Sequence, residues 1–230
     1  MSRLPPELAT AIVAALVAVA LAILAALYRR NRAAIRKLRG AAFAPAYGLF
    51  STYRVTQSGV DYPELAGRYR DHDFRIDAIV DTLTFRKLPV LWLRVSLLAP
   101  APGRSTLDIL VRSQNVEFYS PSVDLPHRIE PLPGWPDGAL VRTDDPDRLP
   151  DRRTIDRHIG YFATPQAKEM LITPKGIRLV YMLDQARRAE YLVLRQAEFE
   201  SPQVSEPLLK DLMDRLIALH RDLAAARQAA

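Results

Sequence analysis

LATAIVAALVAVALAILAALY, Leu8 to Tyr28, runs for twenty-one residues without a charge, and RRNRAAIRKLR, Arg29 to Arg39, follows it at once. At 1.5 Å per residue the apolar stretch makes a helix of roughly 31 Å, which matches a hydrocarbon core of about 30 Å. A helix is required there because no water is present to satisfy the backbone amides. Its strongly apolar residues are Ile12, Val13, Leu16, Val17, Val19, Leu21, Ile23, Leu24 and Leu27. At about −0.3 to −0.6 kcal/mol each they supply roughly −3 to −5 kcal/mol of insertion free energy.

Two other readings compete with a retained anchor. A cleaved signal peptide carries positive charge before its apolar stretch and a small-residue cleavage site after it. Here only Arg3 precedes, offset by Glu7, while Arg29, Arg30, Arg32, Arg36, Lys37 and Arg39 follow. A buried core helix is the second alternative, but twenty-one unbroken apolar residues are long for one and leave no polar face. The single-pass anchor is the favoured reading. Basic residues collect on the cytoplasmic side, so residues 29–230 are expected in the cytoplasm of a bacterium, beneath its inner membrane. Ala14, Ala18, Ala22 and Ala26 recur every fourth residue, a spacing that lets two membrane helices approach closely. The bland explanation is that nine of the twenty-one residues are alanine.

The formal charge of +6 has one source. Residues 41–230 carry twenty-five basic and twenty-five acidic side chains, so the excess lies in the juxtamembrane stretch. A nucleic-acid-binding domain holds its excess on the folded part, interleaved with aromatics, and none is expected here. The basic stretch instead faces anionic lipid headgroups, each charge adding at most about 1 kcal/mol. Zero cysteines exclude a disulfide, a thiolate nucleophile and a zinc–cysteine site.

Three parts follow: a short N-terminus and transmembrane helix over 1–28, a basic linker over 29–46, and an α+β domain over 47–230. Alternation predicts strands at Tyr47–Gln57, Asp73–Phe85 with a bulge near Asp81-Thr82, Pro89–Leu98 and Thr106–Arg112. Seven prolines between 121 and 151 leave little room for regular structure. Asp151 is placed to cap a short helix bearing Ile155, Ile159 and Phe162, and Thr164-Pro165 to open a second that ends at Thr173-Pro174-Lys175-Gly176. A hairpin is expected from Ile177–Leu183 and Glu190–Gln196, and a closing helix from Ser205. A β-rich region closed by one amphipathic helix is also analogous to a pleckstrin-homology architecture.

From His158 to Glu200 the order of an aromatic, Ala167-Lys168-Glu169-Met170-Leu171-Ile172-Thr173-Pro174, two strands and Phe199-Glu200 resembles an uncharacterised family of bacterial membrane-anchored proteins. The resemblance implies a tethered α+β domain and carries no assigned activity.

No motif marks an enzyme. The nine glycines form no G-x-G-x-x-G, phosphate loop or nucleophile elbow, and the four histidines form no H-E-x-x-H. Asp71-His72-Asp73 is the most suggestive polar triplet, but neighbours in a strand point to opposite faces, so solvated turn residues are the simpler account. Asp144, Asp145, Asp147 and Asp151 lack the glycine and terminal glutamate of a calcium loop, and Arg148, Arg152 and Arg153 neutralise them. No catalytic residue, metal ligand or cofactor is assigned.

Two apolar features point to contacts with proteins. Leu209, Leu212, Leu216, Leu219 and Leu223 follow the alternating three- and four-residue steps of a coiled-coil seam. With only two heptads, docking on the domain's own sheet is favoured over a partner or second copy. Trp92 and Leu110, off the core face of their strands, are expected to form an exposed patch that accepts either this helix or a partner. The expected function is a non-catalytic accessory or scaffold subunit of a larger membrane complex. The alternatives are a lipid- or small-ligand-binding module with a pocket near the basic stretch, and a tethered hydrolase with a cleft at His72 or His158.

Overall fold

The computed structural model describes residues 5–81, 88–101, 103–113, 117–186, 199 and 203–229. Helix α1 spans Pro6–Gly40 without a break. Its 35 residues reach about 52 Å at 1.5 Å each. Among the described residues it is the one helix long and apolar enough to cross a membrane. Its apolar side chains point outward (Leu16 is 64 % exposed), as a helix solvated by lipid requires. The expected linker over 29–46 is helical as far as Gly40. Arg, Lys, Ala and Leu are good helix formers and nothing interrupts them before Gly40, so the basic stretch continues the helix. A 3-10 turn, Ala44–Leu49, then leads into the domain with Ala42, Phe43 and Ala46 buried.

Among the described residues nine strands form one antiparallel sheet: β1 Thr52–Thr56, β2 Glu64–Tyr69, β3 His72–Asp81, β4 Val90–Leu97, β5 Leu107–Leu110, β6 His127–Ile129, β7 Leu140–Thr143, β8 Ala167–Thr173 and β9 Gly176–Gln185. Their order is β1-β2-β3-β4-β9-β8-β5-β7-β6. The expected α+β class stands, and the pleckstrin-homology analogy is not confirmed by this order. On one face Phe74, Ile76, Leu93, Val95, Leu97, Leu107, Ile109, Met170 and Leu179 make the main core. Helix α2, Arg152–Asp156, and the closing helix α3, Glu206–Ala229, pack there, α3 against β4 and β9. The five-leucine seam points inward: Leu209, Leu212, Leu216, Leu219 and Leu223 are all buried. Gly176 lets the β8–β9 turn approach β4, since a Cβ there would lie 2.2 Å from the Leu97 carbonyl oxygen.

Several expectations are overturned. The segment expected as a helix after Thr164-Pro165 is β8, between β9 and β5 in the middle of the sheet. The proline-rich tract holds β6 and β7, and β2 is a strand that alternation did not mark. The strand expected from Tyr47 starts at Thr52, after the 3-10 turn. The end of the Asp73–Phe85 strand and its bulge, and the Glu190–Gln196 strand, lie outside the described residues.

Candidate functional site

The helix junction gathers one group of expected site residues. Three- and four-residue steps put Arg29, Arg32, Arg36 and Arg39 on one face of α1, with Arg30 and Lys37 beside them. All are exposed except Arg39, which is half-buried. The β1–β2 loop climbs this face. Gln57 Nε2 donates to the Arg36 carbonyl at 3.0 Å and to the Asp61 carbonyl at 2.9 Å. Arg39 Nη1 donates to the Val60 carbonyl at 3.1 Å, and its guanidinium lies 5.2 Å from the Tyr62 ring centroid. Gly59, at φ 53°, places its backbone beside Arg32, whose Nη2 is 3.7 Å from where a Cβ would stand. On the other flank Val204 N–H donates to the Ala42 carbonyl at 2.8 Å. The tip of the loop thus reaches the side chain of Arg32, four residues beyond Tyr28 and the end of the apolar span. Ala14, Ala18, Ala22 and Ala26 form an exposed stripe further up the same helix.

The second sheet face carries a polar constellation that sequence reading missed. Register places Asp77, Arg94, Val180, Glu169 and Leu110 in one row across five strands, and Ser96, Arg178, Leu171, Asp108 and Arg142 in the next. A bulge between Ala167 and Glu169 also buries Lys168. Arg94 forks onto Asp77, its Nε donating to Oδ1 at 2.9 Å and its Nη2 to Oδ2. Arg178 donates twice to Glu169 Oε2, from Nε at 3.1 Å and Nη2 at 2.9 Å. Glu169 and Asp108 are both fully buried.

The segment 117–125 lies over this face. Lys168 pairs with Glu117 at 2.8 Å, and Arg178 Nη2 donates to the Tyr119 carbonyl at 3.0 Å. Ser120 Oγ bonds Asp108 Oδ2 at 2.7 Å, and Arg142 Nη1 donates to the Leu125 carbonyl at 2.9 Å. The Tyr119 ring lies 5.6 Å from Trp92, over a small cluster of Val90, Trp92 and Val180. Burial, and then the nearby Glu169 carboxylate, push Asp108 up to about 7 against the opposing Ser120 hydroxyl. Burial also raises Glu169, with Arg178 opposing, and raises the Tyr119 phenol, with Glu117 adding to it.

The expected exposed patch is therefore a correction. Trp92 and Leu110 do leave the main core face, but Trp92 is 8 % exposed and Leu110 1 %. The cover segment buries them, and α3 packs on the opposite face. The leucine seam is spent on the domain's own core.

The remaining candidates serve local structure. Arg70 and Asp71, at φ 45° and 64°, make the β2–β3 turn, and His72 and Asp73 open β3. Arg68 faces Asp71 and Asp73 at 3.9 and 3.6 Å, and His72 Nδ1 lies 2.6 Å from the Arg70 carbonyl. Asp144 accepts from Thr106 N–H at 2.7 Å, and Asp145 from Asp147 N–H at 3.0 Å. Asp151 caps α2, accepting from Thr154 N–H at 2.9 Å and Thr154 Oγ1 at 2.6 Å, and the side-chain bond lowers its carboxyl. His158 meets Asp222 at 3.0 Å beside a pocket of about 80 Å³ lined by Arg157, Tyr161, Met170 and Arg215. The Tyr161 hydroxyl there is engaged by the Val180 carbonyl at 2.5 Å.

No protein-family model matches the chain, and no curated protein matches it. Membership of the uncharacterised family is therefore not established. A solved structure, the mycobacterial trehalose monomycolate transport factor A, TtfA, aligns with TM-score 0.37 and 12 % identity over 70 % of each chain. That likeness is too distant to carry an argument about what the present chain does.

Proposed function

We propose that the chain is a non-catalytic, single-pass accessory or scaffold subunit of a larger bacterial membrane complex, its domain on the cytoplasmic side of the inner membrane. The observation that carries this reading is the unbroken helix from Pro6 to Gly40, tied at its lower end to the domain. A tether that only kept an enzyme near a membrane has no need of a stiff junction. A subunit that presents one surface to one neighbour does, because fixing orientation in advance removes part of the entropy cost of association. The outward alanine stripe supplies a face for a neighbouring membrane helix. The six basic residues hold the helix exit against anionic headgroups and set its direction.

The test is extraction of the full chain in a mild detergent, followed by sizing. An assembly larger than one copy is expected, and isoleucine at Ala14, Ala18, Ala22 and Ala26 should shrink it while leaving membrane insertion intact. Migration as a lone monomer overturns the subunit reading. A reporter fused after Ala230 that is active only outside the cytoplasm overturns the orientation.

A further inference from the structure

We infer that the pocket between the 3-10 turn Ile159–Ala163 and α3 is a binding site for a short aliphatic carboxylate, its tail in the hole and its head on Arg157 and Arg215.

The chemistry of the pocket is split by depth. Met170 on β8, Leu179 on β9, and Leu216 and Leu219 on α3 make an apolar floor that is part of the main core. Tyr161 lines it too, but its hydroxyl is committed to the Val180 carbonyl at 2.5 Å. The floor therefore suits hydrocarbon, and loosely held water there is displaced with a gain. The volume of about 80 Å³ is near half that of a roughly 150 Å³ apolar cavity that holds a benzene ring, which sets the tail at about three carbons.

The mouth is cationic. Arg157, His158 and Arg215 line it beside Gly160. Arg157 Nη2 donates to Thr154 Oγ1 at 3.0 Å, and among the described residues no carboxylate pairs with it. Its neighbour Asp156 is turned to the Trp135 indole at 2.8 Å. Arg215 Nε is held by Asp211 at 2.7 Å, and among the described residues its two Nη nitrogens are left for a ligand. Asp222 is shared by His158 and Arg221, at 3.0 Å from each. Asp211 and Asp222 thus face Arg157, Arg215 and Arg221, and the excess positive charge is complementary to an anion. A planar carboxylate accepts two N–H bonds from such a guanidinium, while its tail reaches the floor below.

The full chain in a non-ionic detergent is titrated with butyrate and, separately, with butylamine, and saturation-transfer NMR of the probe's methyl group reads binding. Butyrate should give a saturable signal, and butylamine, with the same tail and the opposite charge, should give none. Arg157→Ala should weaken butyrate binding about tenfold, the loss of one charge-assisted contact. Gly160→Leu should abolish it. A Cβ at Gly160 meets nothing within 4 Å, so the larger side chain suits the fold and stops the mouth. The inference is overturned by an absent butyrate signal, by butylamine binding as well as butyrate, or by an affinity that either variant leaves unmoved. If Arg157→Ala does not fold, Gly160→Leu and the butylamine comparison decide.

Discussion

Arg178 is the residue on which the second sheet face turns. It neutralises the fully buried Glu169 through two hydrogen bonds and holds the Tyr119 carbonyl with the same guanidinium. Removing one partner of a buried pair costs about 3–5 kcal/mol because the other charge is left unpaired. Arg178→Ala is accordingly expected to lower the unfolding free energy from urea titration by that much, and adding Glu169→Gln should restore a large part of it. Asp108 adds a pH dependence of defined sign. Its carboxyl is raised from 3.8 to about 7 on folding, so the folded chain keeps the proton longer than the unfolded chain. Its contribution is fully present below the ordinary value, falls as pH climbs toward 7, and is flat above. Subtracting an Asp108→Asn titration from that of the native chain isolates this slope. A difference that is level with pH contradicts the assignment. None of these residues could be singled out from sequence, because Asp108, Glu117, Glu169 and Arg178 meet only when strands distant in the chain are laid side by side.

At the scale of elements, α3 fixes the main core. Leu216 is fully buried against the sheet, and truncating such a leucine removes contacts on every side. Leu216→Ala should cost about 2–5 kcal/mol in chemical denaturation. Leu38→Ala, on the exposed side of α1, should cost almost nothing. The seam was readable because its period and its end signals agree, as they do for α1. The strands of β3, β4 and β5 were readable for a similar reason: apolar residues alternate with polar ones. β8 was not. Ala167-Lys168-Glu169-Met170-Leu171 is a run of good helix formers after a Thr-Pro start, and pairing on both edges overrides that local preference. β2 escaped notice because its Glu64, Gly67 and Arg68 blur the alternation, and β6 and β7 because they are only three and four residues long. The α+β class and the long apolar helix were thus legible, while the sheet order and the covered polar face were set by long-range register.

For the whole molecule, the proposed anchoring rests on the apolar span. Its insertion free energy of roughly −3 to −5 kcal/mol is close to the cost of about 2.5–3.5 kcal/mol for one central arginine. Ala18→Arg should therefore leave a large fraction of the protein extractable by alkaline carbonate, whereas Ala18→Leu should not. The unbroken stalk has a second effect, on angular phase. A stiff helix clamped to a folded body transmits rotation, so the compass bearing of the sheet relative to the alanine stripe is geared to the number of residues between them. One extra alanine after Arg32 turns the body by about 100° about the membrane normal, and seven extra bring it back nearly to its starting heading, two turns further from the bilayer. Assembly should therefore fail with the single insertion and recover in part with the longer one, a periodicity that a slack tether cannot produce.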